Sequence, residues 1–118
     1  MTKEEYFTKR HPIAFPIWQQ ATVGIAGAGG LGSNIAIALA RAGIGKLVIA
    51  DFDTVSLENL NRQQYSLQQV GQAKVIALQA NIISFNPFIT LQMHELKICP
   101  ENVNSVFGDC HIMIEAFD

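Results

Sequence analysis

The stretch Gly27-Ala-Gly-Gly-Leu-Gly32 constrains this chain more than any other, because it joins a β-capable run, Thr22–Ala26, to a run with helical periodicity, Gly30–Ala42. Glycines at such a junction permit a tight turn, close approach of the backbone to another group, and tight packing of helix on strand. Leu31, Ile35, Leu39 and Ala42 recur at helical spacing, and Gly43 supplies the stop. Lys46–Ala50 is a second apolar strand. A helix separates the two strands, so they pair in parallel through a right-handed crossover, which makes one βαβ unit.

The pattern then repeats. Val75, Leu78, Ile82 and Phe85 share one face of a helix expected over Gly71–Phe85, which Asn86-Pro87 ends. A third strand is expected at Phe88–Met93, a short helix at Pro100–Phe107 and a fourth strand at His111–Glu115. This predicts an α/β fold, Rossmann-like, with a mostly parallel sheet and helices on both faces. Residues 1–20 read as an N-terminal helical arm, with Lys3–Arg10 as a helix broken at Pro12 and an irregular approach through Pro16 and Trp18. Residues 21–118 read as the nucleotide-binding domain. The sequence closes on a strand where such folds usually run on, so a sheet truncated after about four strands is expected.

With 118 residues, 49% of them hydrophobic and 15% charged, the chain has the means to bury one core and lacks the composition of a disordered segment. Eight basic against ten acidic residues leave a net charge of -2, which provides no basic field for nucleic acid or an anionic membrane. No secretory signal or membrane-spanning apolar run is legible. Cys99 and Cys110 show neither zinc-ligand nor disulfide-framework spacing, so a reduced, cytoplasmic setting is expected and each reads as a small buried hydrophobe. His11, His94 and His111 are scattered and read as surface or core residues.

Gly27-Ala-Gly29-Gly30-Leu-Gly32 also satisfies G-x-G-x-x-G in the strand-to-helix setting that gives this pattern meaning. The helix N-terminus adds about half a positive charge, which suits a phosphate. Asp51 ends the second strand about 20 residues past the turn, where a carboxylate accepts hydrogen bonds from ribose hydroxyls. NAD, FAD and ATP satisfy these features equally. Between Lys46 and Lys97 the cations are Arg62 and Lys74, two isolated charges among neutral amides of the kind a polyphosphate needs for neutralisation. On their own, both also read as ordinary solvated residues.

The linked set GAGGLGSNIAIALARAGIGKL, DFDTVSLENLNRQ, GQAKV, Asn86-Pro87 and the strand ending Glu115-Ala-Phe-Asp118 resembles the ThiF/MoeB/HesA family of adenylating enzymes related to ubiquitin-activating enzymes. The resemblance runs from about Ala21 to Asp118 and is greatest to the shorter ThiF-type proteins. It implies ATP and Mg2+ as cofactors, and transfer of AMP to the C-terminal Gly-Gly carboxylate of a ubiquitin-like sulfur-carrier protein of thiamine biosynthesis, with release of pyrophosphate. Gly27, Gly29, Gly30 and Gly32 would form the nucleotide loop and Asp51 would hold the ribose. Asn59, Arg62 and Lys74 match family residues that contact the triphosphate, and Gln63 adjoins them. Asp118 matches the aspartate associated with magnesium. Arg10 is the candidate for an N-terminal arginine supplied across a homodimer. Asp53 and Glu58 read as solvated loop carboxylates that could assist the metal.

Two other readings follow from the same residues. An NAD- or FAD-binding oxidoreductase module uses the glycine turn and Asp51 but leaves Asn59, Arg62 and Lys74 without a role. A catalytically silent nucleotide-binding fragment, exposing an unpaired strand edge, would favour association with partners.

Overall fold

The computed structural model describes residues 1–7 and 12–117. Arg10, His11 and Asp118 therefore lie outside the described residues. The elements run α1 (Lys3–Phe7), α2 (Ala14–Trp18), β1 (Thr22–Ala26), α3 (Gly30–Ala42), β2 (Lys46–Asp51), α4 (Lys74–Ile83), β3 (Thr90–Glu95), α5 (Val103–Phe107) and β4 (Ile112–Glu115), with two short 3-10 helices at Leu57–Asn61 and Leu67–Gln69. The four strands are parallel in the order β3-β2-β1-β4. The order reverses beside β1: the first crossovers lead outward through β2 to β3, and the last returns to the other side of β1.

Strand alternation sorts the core. Val23, Ile25, Leu47 and Ile49 share one face with Ala36 and Ala40 of α3 and Val75, Leu78 and Ile82 of α4. Ala26, Val48 and Ala50 point the other way, against Val106 and Phe107 of α5. Helices thus cover both faces of this α/β sheet, as the alternation predicts. A Cβ on Gly24 would come within 2.6 Å of the Phe107 ring, so the missing side chain makes room for α5.

The predicted helix and strand limits shift by a few residues. The larger difference is α2, where an irregular approach was expected. Pro16 lies in the first turn of that helix, where a missing N–H leaves no bond unmade. Phe7 and Phe15 stack with centroids 5.2 Å apart and meet the backbone at Gly43, so the first helices pack onto the end of α3. Among the described residues no helix is long and apolar enough to cross a membrane.

Candidate functional site

The carboxyl ends of all four strands border one cleft of about 310 Å³, at the strand-order reversal where open α/β sheets bind ligands. Gly27 follows β1, Asp51, Phe52 and Asp53 follow β2, Lys97 and Ile98 follow β3, and Ala116 and Phe117 follow β4. Its size falls at the lower end of small-molecule sites, roughly 300–1,000 Å³.

Gly27 turns the chain with φ +110°, a conformation side chains rarely adopt, and a Cβ there would come within 2.7 Å of the Ala116 carbonyl oxygen. Gly32 serves packing: a Cβ would sit 1.9 Å from the Gly27 carbonyl oxygen, so only glycine lets α3 close on the turn. Gly29 caps α3 with no side-chain hydrogen bond, leaving the N–H groups of the first helical turn available to an anion.

The loop after β2 is stitched to that turn. Asn34 Nδ2 donates to the carbonyls of Gly30 and Arg62, at 2.6 and 2.8 Å, and the Gln64 N–H donates to Ser33 Oγ at 3.2 Å. Arg62 accordingly lies along Gly30, its Cδ and Nε each 3.6 Å from where a Cβ would be. The guanidinium is exposed and donates to Asn61 Oδ1 at 3.1 Å. Farther along, the Gly71 N–H donates to the Val55 carbonyl, the Val55 N–H to the Gln72 carbonyl, and the Lys74 N–H to the Asp53 carbonyl at 3.0 Å. This brings the start of α4 beside the end of β2. Lys74 is 5% exposed, with Nζ 4.0 Å from Asp53 Oδ2 and 4.0 Å from the Gly29 Cβ position. Gln63 Nε2 lies 3.6 Å from that same position.

Arg62, Gln63 and Lys74 therefore meet adjacent glycines of one turn although the second 3-10 helix and its flanking loop separate Lys74 from the other two. Of these three only Lys74 lines the cleft itself; Arg62 and Gln63 stand over the glycine turn beside it, and Asn59 goes elsewhere, its Oδ1 accepting the Ser56 N–H at 3.0 Å to close the first 3-10 helix. Asp51 Oδ2 accepts the Ala28 N–H and Oδ1 the Asp53 N–H, both at 2.7 Å. Each oxygen keeps a further lone pair for a ribose hydroxyl. Beneath the turn, Tyr65 donates its hydroxyl proton to the Ala28 carbonyl at 2.5 Å, and burial, then the Asp51 charge, push its pKa well above the usual value.

Sequence reasoning missed Phe52, Lys97 and Ile98 as cleft residues, and Asn34 as the tie between Arg62 and the turn. Position just past a parallel strand was the available signal for the first three. Among the described residues no three His, Cys, Asp or Glu side chains gather around a common point. A magnesium ion shared with phosphates needs only one or two protein carboxylates, and Asp53 on the cleft wall fits that demand; Asp118, the other candidate, lies outside the described residues.

The sequence model of the ThiF family matches residues 17–118. The chain is 36% identical over 101 residues to the probable adenylyltransferase/sulfurtransferase MoeZ of Mycobacterium tuberculosis, covering 85% of this chain and 26% of that protein. It is 40% identical over 80 residues to ubiquitin-like modifier-activating enzyme 5 of Caenorhabditis elegans, covering 68% of this chain and 19% of the relative. Among solved structures, the E. coli tRNA N6-threonylcarbamoyladenosine dehydratase TcdA in complex with ATP superimposes with a TM-score of 0.90 and 30% identity, over 98% of this chain and 50% of the other. This chain thus spans about a quarter of MoeZ and half of TcdA. Sequence, sheet order and glycine turn agree, and the chain belongs to the ThiF family.

Proposed function

We propose that the chain carries the nucleotide site of an ATP-dependent adenylyltransferase, acting on the C-terminal Gly-Gly carboxylate of a ubiquitin-like sulfur carrier of the thiamine type, in the cytoplasm and as a homodimer. One observation carries the reading: a guanidinium and a buried ammonium, distant in sequence, converge on adjacent glycines at an uncapped helix N-terminus. Such an arrangement suits a polyphosphate. A dinucleotide module has no use for the pair. The names of MoeZ and ubiquitin-like modifier-activating enzyme 5, and the ATP in the TcdA complex, support the same reaction class.

The chemistry needs no general base. A C-terminal carboxylate, with an ordinary pKa of about 3.5, is already ionised at neutral pH. It displaces pyrophosphate from the α-phosphorus of ATP and forms a mixed anhydride with AMP. The obstacle is an anion approaching a polyanion. Arg62 along Gly30 and Lys74 beside Gly29 supply the compensating charge, the N–H groups opening α3 orient phosphate oxygens, and Asp51 holds the ribose. Magnesium, when bound, adds neutralisation at the phosphates; Asp53 and Asp118 are the carboxylates that would hold it.

ATP–pyrophosphate exchange with a Gly-Gly-terminated carrier tests the assignment. Exchange is expected with the intact carrier and lost with one lacking its last glycine. Arg62→Ala and Lys74→Ala should each lower exchange by about 10²-fold, the scale of losing a transition-state charge contact. Exchange indifferent to the tail removes carboxylate activation from the reading, and NADH binding without an ATP response replaces it with an oxidoreductase module.

A further inference from the structure

Gln63 is 6% exposed, and its Oε1 has no hydrogen-bond partner among the described residues. Buried polar atoms are nearly always paired, so an orphaned carbonyl oxygen beside a ligand site calls for a cause. Its surroundings supply one. The Nε2 of the same carboxamide and the Nζ of Lys74 approach the same point above Gly29, at 3.6 and 4.0 Å. The Lys74 ammonium offers three donors, and its ion pair with Asp53 is stretched to 4.0 Å. The carboxamide whose oxygen lacks a donor thus turns its nitrogen toward the point that the ammonium, with donors to spare, also approaches. Half a turn about the last torsion of Gln63 exchanges its oxygen and nitrogen, and that sp³–sp² rotation has no steep wells.

We propose that Gln63 is the positioning residue of Lys74: its carboxamide oxygen accepts a hydrogen bond from the ammonium and holds that charge over the glycine turn, in competition with Asp53. The inference deepens the triphosphate reading and rests on it for its consequence. A neutral acceptor suits the task, because it aims the ammonium without cancelling its charge. Asp53, the alternative partner, would cancel it. Gln63 touches no reacting atom in this scheme; it acts through Lys74.

Two measurements on the 118-residue chain test the pair. The first is a double-mutant cycle on ATP binding by titration calorimetry, with Gln63→Leu, Lys74→Met and both together. Gln63→Leu is expected to weaken binding about tenfold beside Lys74 and less than about twofold beside methionine, because contacting residues couple while independent ones add. Equal losses in both backgrounds assign Gln63 to packing and overturn the proposal. The second needs no nucleotide: acylation of Lys74 by an amine reagent, followed by mass spectrometry with Lys97 as internal standard. Loss of the acceptor should speed Lys74 labelling about fivefold, the scale of one hydrogen bond, in Gln63→Leu and in the shorter Gln63→Asn. Unchanged labelling in both variants overturns the proposal. If the parent chain binds no ATP while the labelling difference persists, the triphosphate reading fails and the Gln63–Lys74 pair stands.

Discussion

Asp51 performs two structural tasks before it meets any ligand. Its oxygens gather the N–H groups of Ala28 and Asp53, at 2.7 Å each, and so fix the glycine turn to the end of β2. Tyr65 completes the arrangement from below by donating to the Ala28 carbonyl. Ala28 is thereby held at both its polar atoms by side chains from other segments. Tyr65→Phe would leave that buried carbonyl unpaired and should cost about 1–3 kcal/mol in urea unfolding. The pH dependence gives a second signature. Tyr65 resists ionisation in the folded protein, chiefly through burial and then through the Asp51 charge, so its folded pKa lies above the unfolded value of 10.0. Below that value both states are neutral at this residue and its contribution is intact. Above it the unfolded chain loses a proton that the folded chain keeps, and stability falls at about 1.4 kcal/mol per pH unit until the folded pKa is reached. Tyr65→Phe should remove that component from the alkaline limb; an unchanged limb would place the alkaline loss in other groups.

At the scale of elements, the crossover between β2 and α4 shows why an amide-rich segment is ordered. Ser56 and Asn59 bracket the first 3-10 helix and Ser66 and Gln69 the second, each amide accepting the N–H of the serine, at 3.0 Å in both cases. The first helix hands its last carbonyl bonds to Arg62 and Gln63, whose N–H groups reach the Asn59 carbonyl. Asn59 therefore sets where Arg62 begins. Asn59→Ala should cost about 1 kcal/mol, the value of a cap, and Asn59→Asp, which keeps the accepting oxygen, should retain most of it in denaturant midpoints. Equal losses in the two variants would move Asn59 from capping to a role for its nitrogen. The two Ser-Leu-x-amide repeats were legible in principle. They escaped because one turn of 3-10 helix carries no periodicity, whereas α3 and α4 declare themselves over several turns. The βαβ core was readable for that reason, while Arg62 and Lys74 were singled out as a pair only through the linked motifs of the family resemblance. Phe52, Lys97 and Ile98 were signalled only by standing just past a parallel strand, and that these strand ends share one cleft depends on the sheet order, a long-range fact. Pro16 misled by local rule alone, since its cost depends on where in a helix it stands.

At the scale of the molecule, cover and pairing are distributed unevenly across the sheet. β1 and β2 have strands on both sides and helices on both faces. β4 has β1 on one side and no strand on the other among the described residues. Its register puts Ile112 on the face of Val23 and Met113 on the face of Gly24, and these two side chains are 59% and 43% exposed. Among the described residues both faces of β4 are thus thinly covered, and its outer edge carries backbone donors and acceptors with no strand partner beside apolar side chains. Such an edge templates pairing with another strand. The consequence for the site is direct, since Ala116 and Phe117, which follow β4, form one wall of the cleft. Whatever pairs with β4 also steadies that wall. The chain should therefore associate with increasing concentration in sedimentation velocity, and Met113→Lys, which puts a charge on the strand as natural edges do, should shift it toward monomer without lowering the unfolding midpoint. If the variant associates as the parent does, the contact lies on another surface, and the apolar side chains of β4 are merely exposed.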